Sequence, residues 1–470
     1  MFILMPVIFV LGILAIAMED KIKINKAAVA LFMAISLWMI LMFDAYNIFV
    51  ERDSPLFKQF LTQNPEMLNL SVNDQFVNFI TNRSIIYHLG NVAETLFFVM
   101  CSMLIVDIVD KHGGFRSVTG YIRTPNKRKL LWYISFASFF FSALLDNLAA
   151  AIVIMAVLRK LVPDRTDRLK YACMVIIAAN AGGSWSPIGD VTTILLWVGK
   201  NISAMHQISH VFIPALVNML VPLSIAHFWL FKKGATLRLQ SEEEQADEYV
   251  PEIPNRSRRI IFIIGVLSLA MVPAFQMLTE LPPFLGVLLG LVILWVYTDL
   301  MYSKLHMMKE SDKLRIAELL PNIDLSTIFF FLGILMSVGA LETSGQLGLM
   351  SNYLDSTVHE PYVIAFVIGI LSSCVDNVAL VAATMGMYPI VQHAADITPY
   401  AAHFVSDGAF WTFLAYCAVT GGSILIIGSA TGVTVMGLEK ISFMYYLKRF
   451  SLLSLIGYLC GAGVYLLMFV

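Results

Sequence analysis

Long apolar runs constrain this sequence more than any other feature. An α-helix needs about 20 mostly apolar residues to cross the hydrocarbon core of a bilayer. Ten such stretches lie near 2–17, 27–43, 86–109, 171–198, 211–231, 260–278, 283–301, 324–343, 410–436 and 450–470. Only 14% of the residues are charged, against about 25% in an ordinary soluble domain. The sequence therefore predicts an all-α polytopic membrane protein with about ten transmembrane helices in a lipid bilayer.

The polar residues exclude several classes of function. A net charge of −2 provides no basic footprint for nucleic acid. The five cysteines fall in apolar stretches without a CxxC spacing, so neither a resident metal nor a redox site is indicated. The sequence contains no HExxH motif and no nucleophile–base spacing. We therefore expect no enzyme activity and no cofactor.

Two further apolar stretches, 130–160 and 361–390, are interpreted through the positive-inside rule. With the N-terminus outside, 27 of the 31 basic residues lie on the inside, provided that each stretch enters and leaves on the same side. Thirty residues make two arms of roughly 22 Å, too short for two spans of about 30 Å. We expect two re-entrant helical hairpins, with a cytoplasmic linker at 232–259. The alternative, a single long or kinked span at each stretch, would spoil the charge bias.

Two halves of the chain carry the same motifs in the same order. The segment 145–149 (LDNLA) matches 375–379 (VDNVA), and 182–184 (GGS) matches 421–423 (GGS). An odd number of predicted crossings separates the copies, so the repeat should have inverted topology. Glycines, hydroxyl residues and Pro187 disfavour a continuous helix. Two broken helices are therefore predicted at 171–198 and 410–436.

This repeat divides the chain into five predicted parts. They are scaffold helices at 1–85, a first repeat at 86–231, the linker at 232–259, scaffold helices at 260–323 and a second repeat at 324–470. Each repeat places its hairpin before its broken helix. The hairpin tips should meet the helix breaks from opposite sides, at the interface where secondary transporters hold their cargo.

Oxygen-bearing side chains collect at these tips and breaks. The expected cation- and proton-binding residues are Asp146, Asn147, Asp190, Ser184, Thr192, Asp376, Asn377, Ser423 and Thr431. Carboxylate, amide and hydroxyl oxygens suit a small hard cation such as Na⁺, which we expect at Asp146 and Asp376. The Ser and Thr residues could instead be small residues that pack helices together.

Two of the acidic residues have no acidic counterpart in the other half. Asp190 matches Ser429, and Glu94 matches Ser326. Asp190 could bind the ion directly or tune the neighbouring carboxylates through like-charge repulsion. Glu94, with His88 nearby in the same predicted span, is a candidate for the proton path or for tuning.

The segments 142–147 (SALLDN) and 184–193 (SWSPIGDVTT) resemble those of the NhaD-type sodium/proton antiporters of the ion transporter superfamily. The similarity runs from about His88 to the C-terminal residue. It implies exchange of Na⁺, and Li⁺, for protons, by a homodimer in a bacterial inner membrane. It also implies that hairpins and broken helices form a moving transport domain. Dicarboxylate transporters of the same superfamily carry Ser-Asn-Thr at the hairpin tips, where this chain has Asp-Asn.

Two other classes of function are weighed against cation exchange. A sodium-coupled symporter of a dicarboxylate or other organic anion is the alternative closest to it. An anion site would want basic residues or free helix N-termini in place of carboxylates. A channel is disfavoured because no ring of pore-lining residues is evident in the sequence.

Overall fold

The computed structural model describes residues 2–18, 22–51, 55–114, 124–232, 234–237, 253–304, 313–320, 323–391, 398–426 and 428–470. Most of the predicted linker 232–259 lies outside the described residues. So do several of the loop cations used in the charge count, namely Lys21, Arg52, Arg116, Arg123, Lys233, Arg238 and Lys309.

Apart from one isolated bridge between Asn126 and Thr236, the regular structure of the described residues is helical. The helices of the N-terminal third are α1 Leu4–Ala17, α2 Lys26–Phe43, α3 Pro55–Gln63, α4 Val72–Val77, α5 Ile86–Lys111, α6 Lys127–Leu145 and α7 Asn147–Leu161. The middle of the chain forms α8 Arg165–Ser184, α9 Val191–Val198, α10 Ala204–Trp229, α11 Asn255–Ala270, α12 Val272–Thr279, α13 Pro283–Lys304 and α14 Ile316–Leu319. The C-terminal part forms α15 Leu325–Thr343, α16 Gln346–Thr357, α17 Pro361–Leu371, α18 Asn377–Met387, α19 Ala409–Gly421, α20 Ala430–Glu439, α21 Phe443–Arg449 and α22 Ser451–Phe469.

This helix content confirms the all-α polytopic membrane class. Six helices in the described part of the chain are long and apolar enough to cross a bilayer, or up to eight if each of two bent pairs is one span. The predicted spans 171–198 and 410–436 are each divided into two shorter helices. The predicted hairpins are likewise divided, into α6 and α7 and into α17 and α18. The number of crossings and their direction stay predictions.

The chain forms two compact units. The first contains Met1–Leu96, Asp324–Ile364 and Val378–Val405. Its centre is the packing of α2 against α15, where a Cβ on Gly333 would lie 2.5 Å from the carbonyl carbon of Ala30. The indole of Trp38 donates a hydrogen bond of 3.0 Å to the carbonyl of Met336 across the same contact. These close approaches fix the register of the two helices.

The second unit contains Phe97–Ile323, Ala365–Asn377 and Ser406–Val470. Its core is built on α8 and α19, which are buried without interruption from Tyr171 to Ser184 and from Phe410 to Gly421. A helix that is buried on every side belongs to the centre of a fold rather than to its lipid-facing surface. Both hairpin tips and both helix breaks lie in this unit.

Candidate cation-binding site

The first hairpin turns at a strained aspartate. Asp146 separates α6 from α7 and adopts φ 72° and ψ 158°, a region that residues with a side chain rarely occupy. Its carboxylate Oδ1 accepts a hydrogen bond of 2.8 Å from the backbone N–H of Ala149, which caps α7. Strain of this kind costs about 1–3 kcal/mol and is characteristic of functional sites.

The two helix breaks end in matching caps. α8 stops at Ser184 and α9 begins at Val191, where the carboxylate of Asp190 accepts the backbone N–H of Thr192 at 2.7 Å. In the second copy α20 begins after Ser429, whose hydroxyl accepts the backbone N–H of Gly432 at 3.1 Å. The pair Asp190 and Ser429, aligned by sequence, therefore occupies the same structural position.

Each hairpin arm packs against its broken helix through the same pair of contacts. The hydroxyl of Ser142 donates to the carbonyl of Ala179 at 2.5 Å, and that of Ser372 donates to the carbonyl of Ala418 at 2.6 Å. A Cβ on Gly182 would collide with the carbonyl of Phe139, and one on Gly421 would collide with the carbonyl of Gly369. The glycines are thus needed for close approach of backbones.

Asp190 lies at the centre of the cluster. Its carboxylate accepts hydrogen bonds from the side-chain amide of Asn147 at the first hairpin tip and from that of Asn377 at the second, the latter at 3.3 Å. The exposed fractions of the three side chains are 3%, 7% and 5%. A single buried carboxylate therefore joins both hairpin tips to the first helix break.

A second amide extends this network to the other break. Asn180, fully buried in α8, accepts a hydrogen bond of 3.0 Å from Asn147. Its own amide donates to the hydroxyls of Ser423 and Ser429 at 2.8 and 2.9 Å. The two repeats are thus connected by a continuous chain of hydrogen bonds, which cooperativity strengthens in a buried site.

The site is acidic. Asp190 interacts electrostatically with Asp146 and with Asp376. In the described part of the chain, the ion pairs of Asp167 and Glu439 with lysine and arginine lie elsewhere, and neither Asp146 nor Asp190 has such a partner. No three His, Cys, Asp or Glu side chains among the described residues are arranged to hold a metal ion. A bound Na⁺ would therefore need amide, hydroxyl or backbone oxygens as well as carboxylates.

The predicted hydroxyl residues are placed unequally. Ser423 accepts a hydrogen bond from Asn180, whereas the hydroxyl of Ser184 donates to the carbonyl of Ala181 in its own helix. Thr192 and Thr431 are fully buried in the first turns of α9 and α20. Two of these four residues therefore contact the hydrogen-bond network around Asp190, Ser423 through its hydroxyl and Thr192 through its backbone N–H.

The two residues predicted for tuning lie in the other unit. Glu94 is half-buried in α5, and His88 forms a hydrogen bond of 3.0 Å with the hydroxyl of Thr343. The hydrogen bonds of Asp190 described above involve neither of them. Their roles stay predictions.

Asn180 is not among the site residues predicted from the sequence. Its signal is present, because it is the one amide side chain in the apolar run 171–184 and stands two residues before the Gly-Gly pair. A buried amide must find partners for its donors and its acceptor, so a polar residue in such a run indicates a network.

The chain is similar to known proteins over nearly its whole length. A family model described as a citrate transporter matches residues 7–406. A sodium/proton antiporter 1 of Arabidopsis thaliana is 37% identical over 98% of this chain and 72% of its own length. The sodium/proton antiporter 2 of the same plant is 35% identical over 98% of both chains. A Na⁺/H⁺ antiporter NhaD of Vibrio cholerae is 28% identical over 83% of this chain and 81% of its own.

The chain belongs to the NhaD-type family of the ion transporter superfamily. The resemblance inferred from the hairpin tip and the first break is therefore confirmed. NhaD-type relatives come from bacteria and from a plant, and the chain is a multi-pass membrane protein like them.

Proposed function

We propose that this NhaD-type protein exchanges Na⁺ for H⁺ by alternating access. The observation that carries the proposal is the position of Asp190, a buried carboxylate bonded to both hairpin tips and close to two further aspartates. Carboxylates that lack basic partners inside a membrane protein bind cations, protons or both. The names of the sodium/proton antiporters among its relatives support the same activity.

Competition between the two cargoes gives the exchange. Three neighbouring carboxylates repel one another when all are charged, so the site is stable only with a proton or a cation bound. Na⁺ bound by Asp146, Asp190 and Asp376, with Asn147 and Asn377 at the tips, displaces protons. The empty, fully charged site is unfavourable, and this couples the two fluxes.

An organic anion does not suit this chemistry. Three aspartates would repel a carboxylate ligand, and the network that surrounds them is made of amides and hydroxyls. The citrate-transporter description of the family model names the wider family, whereas two relatives that match 98% of the chain are named sodium/proton antiporters. Symport of a dicarboxylate is therefore not favoured.

The finer features belong to the same proposal. Li⁺, which also prefers oxygen ligands, is a second cargo. The hairpins 130–160 and 361–390 are re-entrant, and the repeats 86–231 and 324–470 are inverted around the site. The 1–85 and 260–323 helices act as scaffold and dimer contact in a homodimer. The membrane is one that maintains a proton gradient, which in a bacterium is the inner membrane.

Everted membrane vesicles that contain the chain test the exchange directly. Addition of Na⁺ or Li⁺ to vesicles with an acidic interior should dequench a pH-sensitive dye, and K⁺ should not. Vesicles that lack the protein are the control for leak. If citrate together with Na⁺ caused dequenching and Na⁺ alone did not, the proposal of exchange would be wrong and symport would take its place.

Cysteine labelling tests the inverted hairpins. Single cysteines at Thr124 and Thr166, which flank the first hairpin, should react with an impermeant reagent only from the cytoplasmic side. Single cysteines at Glu360 and Thr398, which flank the second hairpin, should react only from outside. If the two members of either pair reported opposite sides, that hairpin would be a full span and the repeats would not be inverted.

A further inference from the structure

Each helix break leaves backbone carbonyls that the hydrogen-bond network around Asp190 does not satisfy. The last carbonyls of a helix have no partner within it, and in a membrane core there is little water to supply one. The carbonyls of Ser184 and Ser423 are at the matching positions of the two breaks, each directly after a Gly-Gly pair. A free carbonyl there could turn toward a cation or away from it.

One buried side chain from a following helix fills this gap in each copy. The side-chain amide Nε2 of Gln207 in α10 donates to the carbonyl of Ser184 at 2.6 Å. The hydroxyl of Tyr446 in α21 donates to the carbonyl of Ser423 at 2.7 Å. Both side chains are fully buried, and both stand 23 residues after the serine that they contact. The two interactions are therefore the same contact, repeated with different chemistry.

We propose that Gln207 and Tyr446 are matched positioning residues that hold the break carbonyls and thereby set the geometry and affinity of the cation site. The effect on the cation site rests on the proposed function, since it assumes that the site binds Na⁺. Gln207 and Tyr446 are different residue types, so their shared role is visible only in the contacts that they make.

The second break shows how the effect reaches the site. Tyr446 fixes the carbonyl of Ser423, while the hydroxyl of the same serine accepts a hydrogen bond from Asn180. Asn180 in turn accepts from Asn147, which donates to Asp190. Loss of the Tyr446 hydroxyl would free Ser423 to rotate, and Asn180 and Asn147 would lose their fixed orientation.

The first break is held in a different way. The amide of Gln207 uses one donor on Ser184, and its oxygen Oε1 is buried without a hydrogen-bond partner among the described residues. A buried acceptor of this kind costs free energy unless something donates to it or binds it. The amide of Gln207 therefore brings an oxygen to the first break that the phenol of Tyr446 does not bring to the second.

Two substitutions remove the donors with little change in shape. Tyr446→Phe deletes one oxygen, and Gln207→Met replaces the amide with an apolar side chain of similar length. We expect each to raise the apparent KM for Na⁺ about three- to tenfold, the worth of one buried hydrogen bond, with the maximal exchange rate within about twofold of wild type. Matched controls are Tyr171→Phe, which removes a bond to the carbonyl of Lys127, and Gln346→Met, which removes one to the carbonyl of Phe2.

Hydrogen–deuterium exchange of the purified protein separates this inference from the proposed function. In Gln207→Met the peptides covering 185–190 should exchange faster, and in Tyr446→Phe those covering 422–429 should, with no change in the peptides that cover the other break. An unchanged KM, an equal shift in the controls, or faster exchange throughout the protein would overturn the positioning role. Absence of sodium exchange by the wild-type chain would overturn the proposed function, and the peptide pattern would still decide whether these side chains hold the breaks.

Discussion

The two halves of the site share a set of backbone contacts and differ in charge. In both, a hairpin serine bonds to a carbonyl of the broken helix, a glycine lets the two backbones approach, and a polar residue caps the helix after the break. The cap is Asp190 in the first half and Ser429 in the second. The repeat thus builds a symmetric frame, and a single substitution within it places the central carboxylate on one side.

The difference between the caps Asp190 and Ser429 indicates the role of the shared contacts. Ser429 accepts one hydrogen bond from Asn180 in addition to its cap, whereas Asp190 accepts from both hairpin tips and interacts with two other carboxylates. A symmetric pair of caps would have produced either no central charge or two adjacent ones, and two would repel strongly. The asymmetry therefore supplies a single extra acidic group to a site whose other contacts are shared.

The largest effect is expected when the first half is made like the second. Asp190→Ser keeps a helix cap but removes the acceptor of both hairpin-tip amides, each a hydrogen bond to a charged group worth about 1.5–3 kcal/mol. We expect sodium-driven proton movement in vesicles to fall about a hundredfold or more, with the protein still in the membrane. The matched Ser429→Ala variant loses a cap worth about 1 kcal/mol and one hydrogen bond from Asn180 but no charge, so it should lose far less exchange than Asp190→Ser.

The double variant Asp190→Ser with Ser429→Asp sharpens this test. It moves the carboxylate to the matching position of the second half, so partial return of exchange would show that the frame accepts the charge on either side. Activity of the single Asp190→Ser variant close to wild type would reduce Asp190 to the tuning role that the sequence also allowed.

The hairpin-tip carboxylates come next. Asp146→Asn and Asp376→Asn each keep the shape of the side chain and remove one charge from the cluster. We expect either substitution to abolish exchange in the vesicle assay while expression and size-exclusion behaviour are unchanged. Asp164→Asn, which alters the cap of α8 far along the sequence from the tips, is the control. Normal exchange in either tip variant would make that carboxylate structural.

Close packing of the two halves should be equally sensitive to added atoms. Gly182→Ala and Gly421→Ala each force a Cβ against a backbone carbonyl of the hairpin, which cannot move aside as a flexible side chain would. We expect a loss of about 1–3 kcal/mol in stability for each, seen as a lower midpoint of thermal unfolding in detergent. Gly437→Ala in α20 faces open space and should be neutral or slightly stabilising. A large drop in one half alone would show that the frame is not equally tight.

Much of this arrangement could be predicted from the sequence, because its signals are local. Apolar runs of helical length predicted the membrane class, and the repeated Asp-Asn and Gly-Gly-Ser motifs led to the hairpin tips and the breaks. The sequence also predicted that the tips meet the breaks, but the individual side-chain contacts between these segments could not be predicted. Asn180 and Gln207 look like ordinary polar residues in helices, and only the fold shows which carbonyl or amide each one faces.

Asp190 illustrates the limit most clearly. Its lack of an acidic counterpart was visible in the sequence, and that fact alone was compatible with direct binding or with tuning. The fold decides where Asp190 lies. It caps α9 at the break and accepts hydrogen bonds from two hairpin tips, one more than 40 residues earlier in the chain and the other more than 180 residues later. The hydrophobic periodicity of a segment indicates its secondary structure and its buried face. It does not show which residue of a distant segment that face contacts.

The smallest effect on stability is expected at the C-terminal ends of α9 and α20, the helices that follow the two breaks. After α9 the chain is held by hydrogen bonds without an arginine, among them a neutral one of 2.7 Å from the hydroxyl of Ser406 to the carbonyl of Lys200 and one from the backbone N–H of Ser203 to the carboxylate of Asp407. After α20 the buried carboxylate of Glu439 forms ion pairs with Arg159 and Arg168 at 2.7 and 2.8 Å. Burial raises the pKa of Glu439, but the two arginines outweigh it and hold that pKa below the ordinary value of 4.5.

The contacts at the end of α20 should therefore weaken in acid. A carboxyl whose pKa is lower in the folded than in the unfolded protein stabilises the fold above its ordinary pKa, and this contribution disappears as the pH falls through the folded value. Glu439→Gln should lower the unfolding midpoint at pH 7 by the equivalent of about 1–2 kcal/mol, a figure reduced because Arg159 is 47% exposed. The difference from wild type should shrink below pH 4.5 and vanish at lower pH. Ser406→Ala, which removes the neutral contact at the end of α9, should give a smaller decrease that does not depend on pH. A constant decrease for Glu439→Gln across the same range would show that the ion pairs do not stabilise the end of α20.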